Sequence, residues 1–312
     1  MGTLVEATAR FPAAAPAPSA ARLDSALRSL IGEVEGQLSR FLPDSDVARL
    51  ARAAGAWTPV GEHTLAVLGA ALAAREATEG LFDPAPPGRD LGLMAGSAQA
   101  RVEPPGGLDF GAIGKGYAAD QALRLCLALG AEAALVAVGV SSISFHAPDG
   151  RRPWRIGVRA PGGGRREALG VLSLVTGAVA TSSLDEQPGH IWDPRQEAPS
   201  SRADEAVGRE APDSFCLATS TLRDGAARRI CQLSSAAVPA AAVDMAQATV
   251  VAPDGMTAEA CSTALMLGGI PLAARLTDRL PDAAAVLVTT ETVLVSAALR
   301  DAFTPGAQQR HS

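Results

Sequence analysis

Aromatic side chains are scarce in this 312-residue chain, at 4 % of the total, and cysteine and histidine number only four each. The cysteines, Cys126, Cys216, Cys231 and Cys261, form no C-x-x-C pair and no zinc spacing with a histidine. Cys126 and Cys261 lie in apolar helical runs and are expected in the core. His63, His146, His190 and His311 are scattered, which argues against a histidine-rich metal site. No basic run is present, and 27 Lys+Arg against 33 Asp+Glu leave a net charge of −6. Such a chain is a poor candidate for nucleic acid. No apolar run reaches membrane-span length. No leader with a charged and then an apolar region opens the chain, and Glu6 stands where a myristoylation signal needs Ser or Thr. The chain as given is expected to be cytoplasmic, with no membrane span.

What is present is ample core material, 47 % apolar with much alanine. Residues 1–8 are expected to form a strand. Ser19 can cap a helix whose stripe is Leu23, Leu27, Leu30, Val34 and Leu38, ending near Phe41-Leu42-Pro43. A second helix is expected over 64–78. Phe82-Asp83-Pro84 then opens a Pro/Gly-rich loop. From Ala133 the pattern turns to β. A hairpin is expected between 142–146 and 154–158, turning at Asp149-Gly150, and a strand pair over 169–180 with Thr176-Gly177 between. Residues 196–240 are polar, Ala/Ser-rich and weakly periodic, and are read as an insertion. A strand over 248–252, a helix over 257–267 ended by Gly268-Gly269, and strands over 285–288 and 293–296 follow. Residues 304–312 are expected to be disordered. Helices in groups and strands in hairpins indicate an α+β fold, antiparallel sheets packed with helices.

The chemistry-bearing stretch is Leu108 to Asp120, LDFGAIGKGYAAD. Gly111, Gly114 and Gly116 surround Lys115, and a helical run follows to Gly130. A glycine-rich turn feeding a helix N-terminus, with a cation in it, suits a phosphate group. It is not a Walker A loop: Asp109 occupies the first glycine position and Gly116 the Ser/Thr position. The other reading of the same glycines is close helix–sheet packing. Glu259 and Thr263 are four apart on a helix, so they point the same way. They are either a hard-cation site or a solvated Glu and a Thr bonded to its own helix. His190, in His190-Ile191-Trp192-Asp193-Pro194, is either a general base or an ordinary loop histidine. Phe41 either stacks on a flat ring or closes the helix stripe.

Taken together, these motifs resemble the ApbE family, the FAD:protein FMN transferases. The likeness runs in order through Met1-Gly2-Thr3, Leu38 to Phe41 with Pro43-Asp44-Ser45, Phe82-Asp83-Pro84, Leu108 to Asp120, Ala180-Thr181-Ser182 with His190 to Pro194, and Thr249 to Pro253 leading to Glu259 and Thr263. The resemblance implies one ApbE-like, T-fold-related domain over 1–312. It implies an enzyme that uses Mg2+ to move FMN from its substrate FAD to a threonine hydroxyl of an acceptor protein, releasing AMP. Glu259, Thr263 and the carbonyl of Ala112 fall on the family's metal ligands, and His190 on its candidate for activating the hydroxyl. Phe41, Asp109, Gly111, Lys115, Gly116, Gly139, Ser141 and Thr181 fall at cofactor-binding positions. Where the family usually has Asp this chain has Glu259, and where it has two glycines this chain has Gly139-Val140. An FAD-binding relative without transfer activity and a magnesium-dependent FAD pyrophosphatase are the competing activities.

Overall fold

The computed structural model describes residues 3–13, 17–85, 89–104, 107–148, 152–162, 167–184, 229–233 and 245–306. An eight-stranded sheet runs through the centre. Its spatial order is β1 (Val5–Arg10), β5 (Ala133–Val138), β6 (Ser142–His146), β9 (Thr176–Ser183), β11 (Met245–Ala252), β12 (Ala284–Thr289), β13 (Thr292–Ser296) and β10 (Arg229–Leu233). Neighbours are antiparallel, except that β10 runs parallel to β13. A second sheet, β14 (Phe303–Pro305), β8 (Ala168–Leu174) and β7 (Trp154–Arg159), covers one face of the first. Phe145, Val179, Val286 and Val293 of the large sheet meet Ile156, Val158, Leu172 and Phe303 there. A third small sheet is formed by β2 (Thr58–Pro59), β4 (Gln99–Val102) and β3 (Leu91–Met94).

Two helices cover the other face directly and three more pack beyond them. They are α1 (Ala20–Leu38), α2 (Asp46–Arg52), α3 (Glu62–Ala77), α4 (Gly114–Ala128) and α5 (Gly255–Arg279). α5 lies on β9 and β11, and α4 on β5 and β6. α1 begins where expected, with Ser19 Oγ accepting from the Arg22 amide. Its stripe turns inward as the periodicity requires, buried at Val34 and Leu38 and half-buried at Leu23, Leu27 and Leu30. Leu23, Leu27 and Leu30 pack against Ala122, Cys126 and Val136, while Val34 and Leu38 enter the main core. α5 is capped by Asp254, which accepts from the amide and hydroxyl of Thr257. By length and composition α5 could cross a membrane, but fourteen of its residues are buried against the sheet and neighbouring helices, as in a core helix.

The α+β fold class agrees with the sequence, and several local pairings do not. Residues 142–146 and 154–158 are not a hairpin: β6 pairs with β5 and β9, and β7 pairs with β8 in the other sheet. Nor do residues 169–180 form a strand pair, because β8 and β9 belong to different sheets. Strand alternation states which face is apolar, not which strand is the partner. The helix expected to end at Gly268-Gly269 bends at Gly269, φ +54°, and continues through Pro271 to Arg279. α2 and the third sheet occupy stretches where the sequence pattern predicts no element. Part of the 196–240 segment is strand β10, and residues 304 and 305 belong to β14, which Phe303 anchors in the core.

α4 and α5 start back to back. A Cβ on Gly116 would collide with the carbonyl of Gly255, and one on Gly255 would lie 2.5 Å from the carbonyl oxygen of Gly116. The two chain entries approach closer than any side chain permits. Gly116→Ala should therefore lower stability by ~3 kcal/mol, the upper range for forced overpacking, with an earlier thermal melt. Gly114→Ala is the control: its Cβ would sit an ordinary 3.7 Å from Phe110 Cβ, and its melt should stay near that of the unaltered chain.

Candidate active site

The glycine turn is fixed before the helix begins. The Asp109 amide donates to the carbonyl of Pro84 at 2.8 Å, tying Phe82-Asp83-Pro84 to Leu108 to Asp120. Asp109 Oδ1 accepts from the Gly111 amide at 2.8 Å. Gly114 and Tyr117 reach back one turn, to Phe110 and Ile113. The Gly116 amide does not follow them: it donates to Glu259 Oε2 at 2.8 Å. The carbonyl of Ala112, four residues before Gly116, is the acceptor that a regular helix would have given that amide.

Glu259 is the centre of the site. It is 4 % exposed, on the α5 face turned toward α4. Its Oε1 accepts from the Ser142 hydroxyl at 2.5 Å and lies 3.0 Å from Lys115 Nζ. Lys115 Nζ also donates to the carbonyl of Gly111 at 3.0 Å. One carboxylate thus joins α4, β6 and α5 through an amide, a hydroxyl and an ammonium. A buried carboxylate requires such partners, since an unpaired charge there is costly. Of the two readings of Glu259, burial excludes the solvated surface residue.

A second buried carboxylate lies behind the first. Asp120, 6 % exposed, accepts from the Ser144 hydroxyl at 2.6 Å and from the Gly255 amide at 2.9 and 3.0 Å. It holds the start of α5 against α4. Burial pushes its carboxyl up from 3.8 to about 6, against the opposing effect of those two donors. Ser142 and Ser144 point to the helices because they alternate on β6 with Ile143 and Phe145.

The remaining expected site residues divide between two faces. Thr263 lies one turn after Glu259, 3.3 Å from Ser182 Oγ, which also meets Ser262 Oγ at 2.9 Å. Thr181, next to Ser182 on β9, faces the opposite way and meets Thr249 Oγ1 at 2.9 Å. It is therefore not brought to Glu259. Gly139 and Ser141 form the β5–β6 turn. Gly139 has φ +67°, donates to the carbonyl of Leu4 at 2.8 Å and faces Thr3, so the first strand and this turn meet as neighbours. Val140 beside it is 70 % exposed. Phe41 is 80 % exposed, which excludes the reading as a core residue. Arg40 lies 4.8 Å from the Phe41 ring centroid and pairs with Asp109 at 3.3 Å, bringing the aromatic to the glycine turn. His190 and its neighbours through Pro194 lie outside the described residues, as do Met1 and Gly2.

The donor set around Glu259 is oxygen-rich and hard: a buried carboxylate, a hydroxyl one turn along and backbone carbonyls in the glycine turn. It already holds a cation, the Lys115 ammonium, between a carboxylate and a carbonyl oxygen. Such donors fit Mg2+, which takes few protein ligands. They do not fit zinc, and no group of three His, Cys, Asp or Glu gathers to hold a metal among the described residues. Sequence reading leaves Ser142, Ser144 and Asp120 without roles. The signal for the serines is two small hydroxyls in period two within an apolar strand.

A family model, described as the ApbE family, matches residues 1–87 and 89–222. The chain belongs to the ApbE family. That match takes in the glycine turn and His190; Glu259 and Thr263 lie beyond it. The ApbE fold extends over the whole arrangement. A crystal structure of the ApbE protein of Thermotoga maritima is 21 % identical with a TM-score of 0.69, covering 96 % of this chain and 99 % of that one. A flavinyl transferase ApbE of Pseudomonas stutzeri, in its apo form, is 20 % identical with a TM-score of 0.66, over 97 % and 98 % of the two chains. A flavin transferase ApbE of Vibrio cholerae is 19 % identical with a TM-score of 0.70, over 96 % of each. No curated protein matches the sequence.

Asp120 makes stability depend on pH. Between its unfolded value of 3.8 and its folded value of about 6, the folded chain keeps a proton that the unfolded chain has released. Stability from this group is therefore complete below that window and falls as pH rises through it. A window of that width corresponds to about 3 kcal/mol. Asp120→Asn should lose this pH dependence. Urea unfolding of both proteins at about pH 4 and pH 6.5 checks it: the loss of stability between the two values should be smaller in the variant by about that amount.

Proposed function

We propose that this chain is a flavin transferase that uses Mg2+ to move the FMN half of FAD onto a threonine hydroxyl of an acceptor protein. The observation that carries the reading is the buried Glu259 carboxylate. α5 delivers it to the amide and ammonium of the glycine turn, which lies more than 140 residues earlier in the chain. Family membership supports the flavin, and the hard oxygen donors support the metal.

Glu259, Thr263 and the carbonyl of Ala112 would hold Mg2+, which when bound neutralises the diphosphate and stabilises charge developing on it. Lys115 supplies a second positive charge on a flexible arm at the same place. Phe41, exposed and carried to the turn by the Arg40–Asp109 pair, offers a face for the flavin ring. His190 takes the proton from the acceptor threonine. The threonine oxygen then bonds to the FMN phosphorus, the bond from that phosphorus to the bridging oxygen breaks, and AMP leaves with the bridging oxygen and its electron pair. The longer Glu259 side chain carries its carboxylate to the Gly116 amide, and Val140 is 70 % exposed.

The test is incubation with FAD, MgCl2 and an acceptor protein carrying the target threonine. Covalent flavin on the acceptor and one AMP per flavin are expected, read by mass spectrometry and in-gel fluorescence. FMN and AMP formed equally without acceptor would indicate a pyrophosphatase instead. FAD bound with no AMP would indicate a relative without transfer activity. His190→Ala should lower transfer by at least ~100-fold, the low end for a lost general base, while FAD binding by fluorescence quenching is kept.

A further inference from the structure

Lys115 is the only lysine in the chain; every other basic side chain counted in Lys+Arg is arginine. Arginine thus serves at every other cationic position, including the pairs of Arg40, Arg75 and Arg275 with carboxylates. The two cations differ physically. Guanidinium is a planar fork with fixed donor directions, whereas ammonium is a compact, strongly hydrated point charge with rotating donors on a flexible stem. A site that uses lysine here uses a small cation that can leave.

Its surroundings fit that use. Lys115 Nζ sits 3.0 Å from Glu259 Oε1 and 3.0 Å from the Gly111 carbonyl, two oxygens that would equally suit a hard metal ion. The Lys115 side chain is 33 % exposed while that of Glu259 is 6 % exposed. The ammonium therefore approaches the carboxylate from the solvent side, along a route it can retrace. The other partners of Glu259, the Gly116 amide and the Ser142 hydroxyl, are neutral. Among the described residues Lys115 is the one cation that balances this buried charge.

We propose that Lys115 is an exchangeable counter-ion for Glu259. Without a divalent ion its ammonium neutralises the carboxylate. When Mg2+ takes the carboxylate, the ammonium is repelled and swings outward on its stem. It is then free to meet the diphosphate of FAD. Glu259 is never left unbalanced, and the positive charge for the substrate is released only once the metal is in place. Lys115 is a positioning residue for the metal step and a binding residue for the diphosphate. The inference rests on the reading of Glu259 as a magnesium ligand.

The single lysine makes the test direct. The full-length chain is treated with a limiting acetylating reagent, and modification of Lys115 is followed by peptide mass spectrometry. MgCl2 should speed labelling of Lys115 several-fold, while NaCl at equal ionic strength leaves it unchanged. Adding FAD with MgCl2 should slow it again. Calorimetry with MgCl2 runs beside it on the unaltered chain and on Lys115→Met, which should bind Mg2+ more tightly because no resident cation competes. Mg2+ heat with an unchanged labelling rate, or weaker Mg2+ binding by Lys115→Met, would show a fixed ion pair and overturn the exchange while the metal reading stands. No Mg2+ binding by the unaltered chain would overturn the metal reading and the exchange together. If Lys115→Met fails to fold by circular dichroism, the labelling rates of the unaltered chain decide alone.

Discussion

Everything at the candidate site depends on two helix starts meeting without side chains between them. Gly116 of α4 and Gly255 of α5 touch backbone to backbone. Two carboxylates bind that junction in opposite senses. Glu259 from α5 accepts from an amide of α4, and Asp120 from α4 accepts from an amide of α5. Each helix thus gives an acid to the other's N-terminus, where orphan amides and the helix dipole favour negative charge. Lose the close approach and both acids lose their amide donors.

This arrangement changes what the glycine turn does. Its sequence suits a phosphate cradle, yet its buried amide at Gly116 is directed at a protein carboxylate. What remains on the outward side is the Lys115 arm, the backbone ahead of α4, and Phe41 beside the Arg40–Asp109 pair. The glycine-packing reading is met at the helix crossing, where a Cβ on Gly116 would strike the Gly255 backbone. Gly116 serves the helix crossing, and Gly111 lies in the exposed turn.

The legible parts of the sequence were those set by local rules. Ser19 and the leucine stripe of α1 needed only capping chemistry and period 3.6. The pairing of Glu259 with Thr263 on one helix face needed only i, i+4 spacing. The illegible parts were long-range. β6 and β7 look like a hairpin, and their separation into two sheets follows from which apolar faces must be covered, information held by residues far apart. Short elements such as α2 and β2 are too brief to show a period. Ser142 and Ser144 became site residues only when α4 and α5 were laid over β6.

By itself the sequence determined the α+β class and the family, because motif order and local spacing survive without a fold. Only the tertiary structure decided that Glu259 is buried, that Lys115 is its cation, and that Thr181 faces away from both. Burial and charge pairing are set by what packs around a residue, and for Glu259 that is a helix start more than 140 positions away. The motif Leu108 to Asp120 supplies the turn, the glycines and the lysine; α5 supplies the acid that gives them a charge to hold.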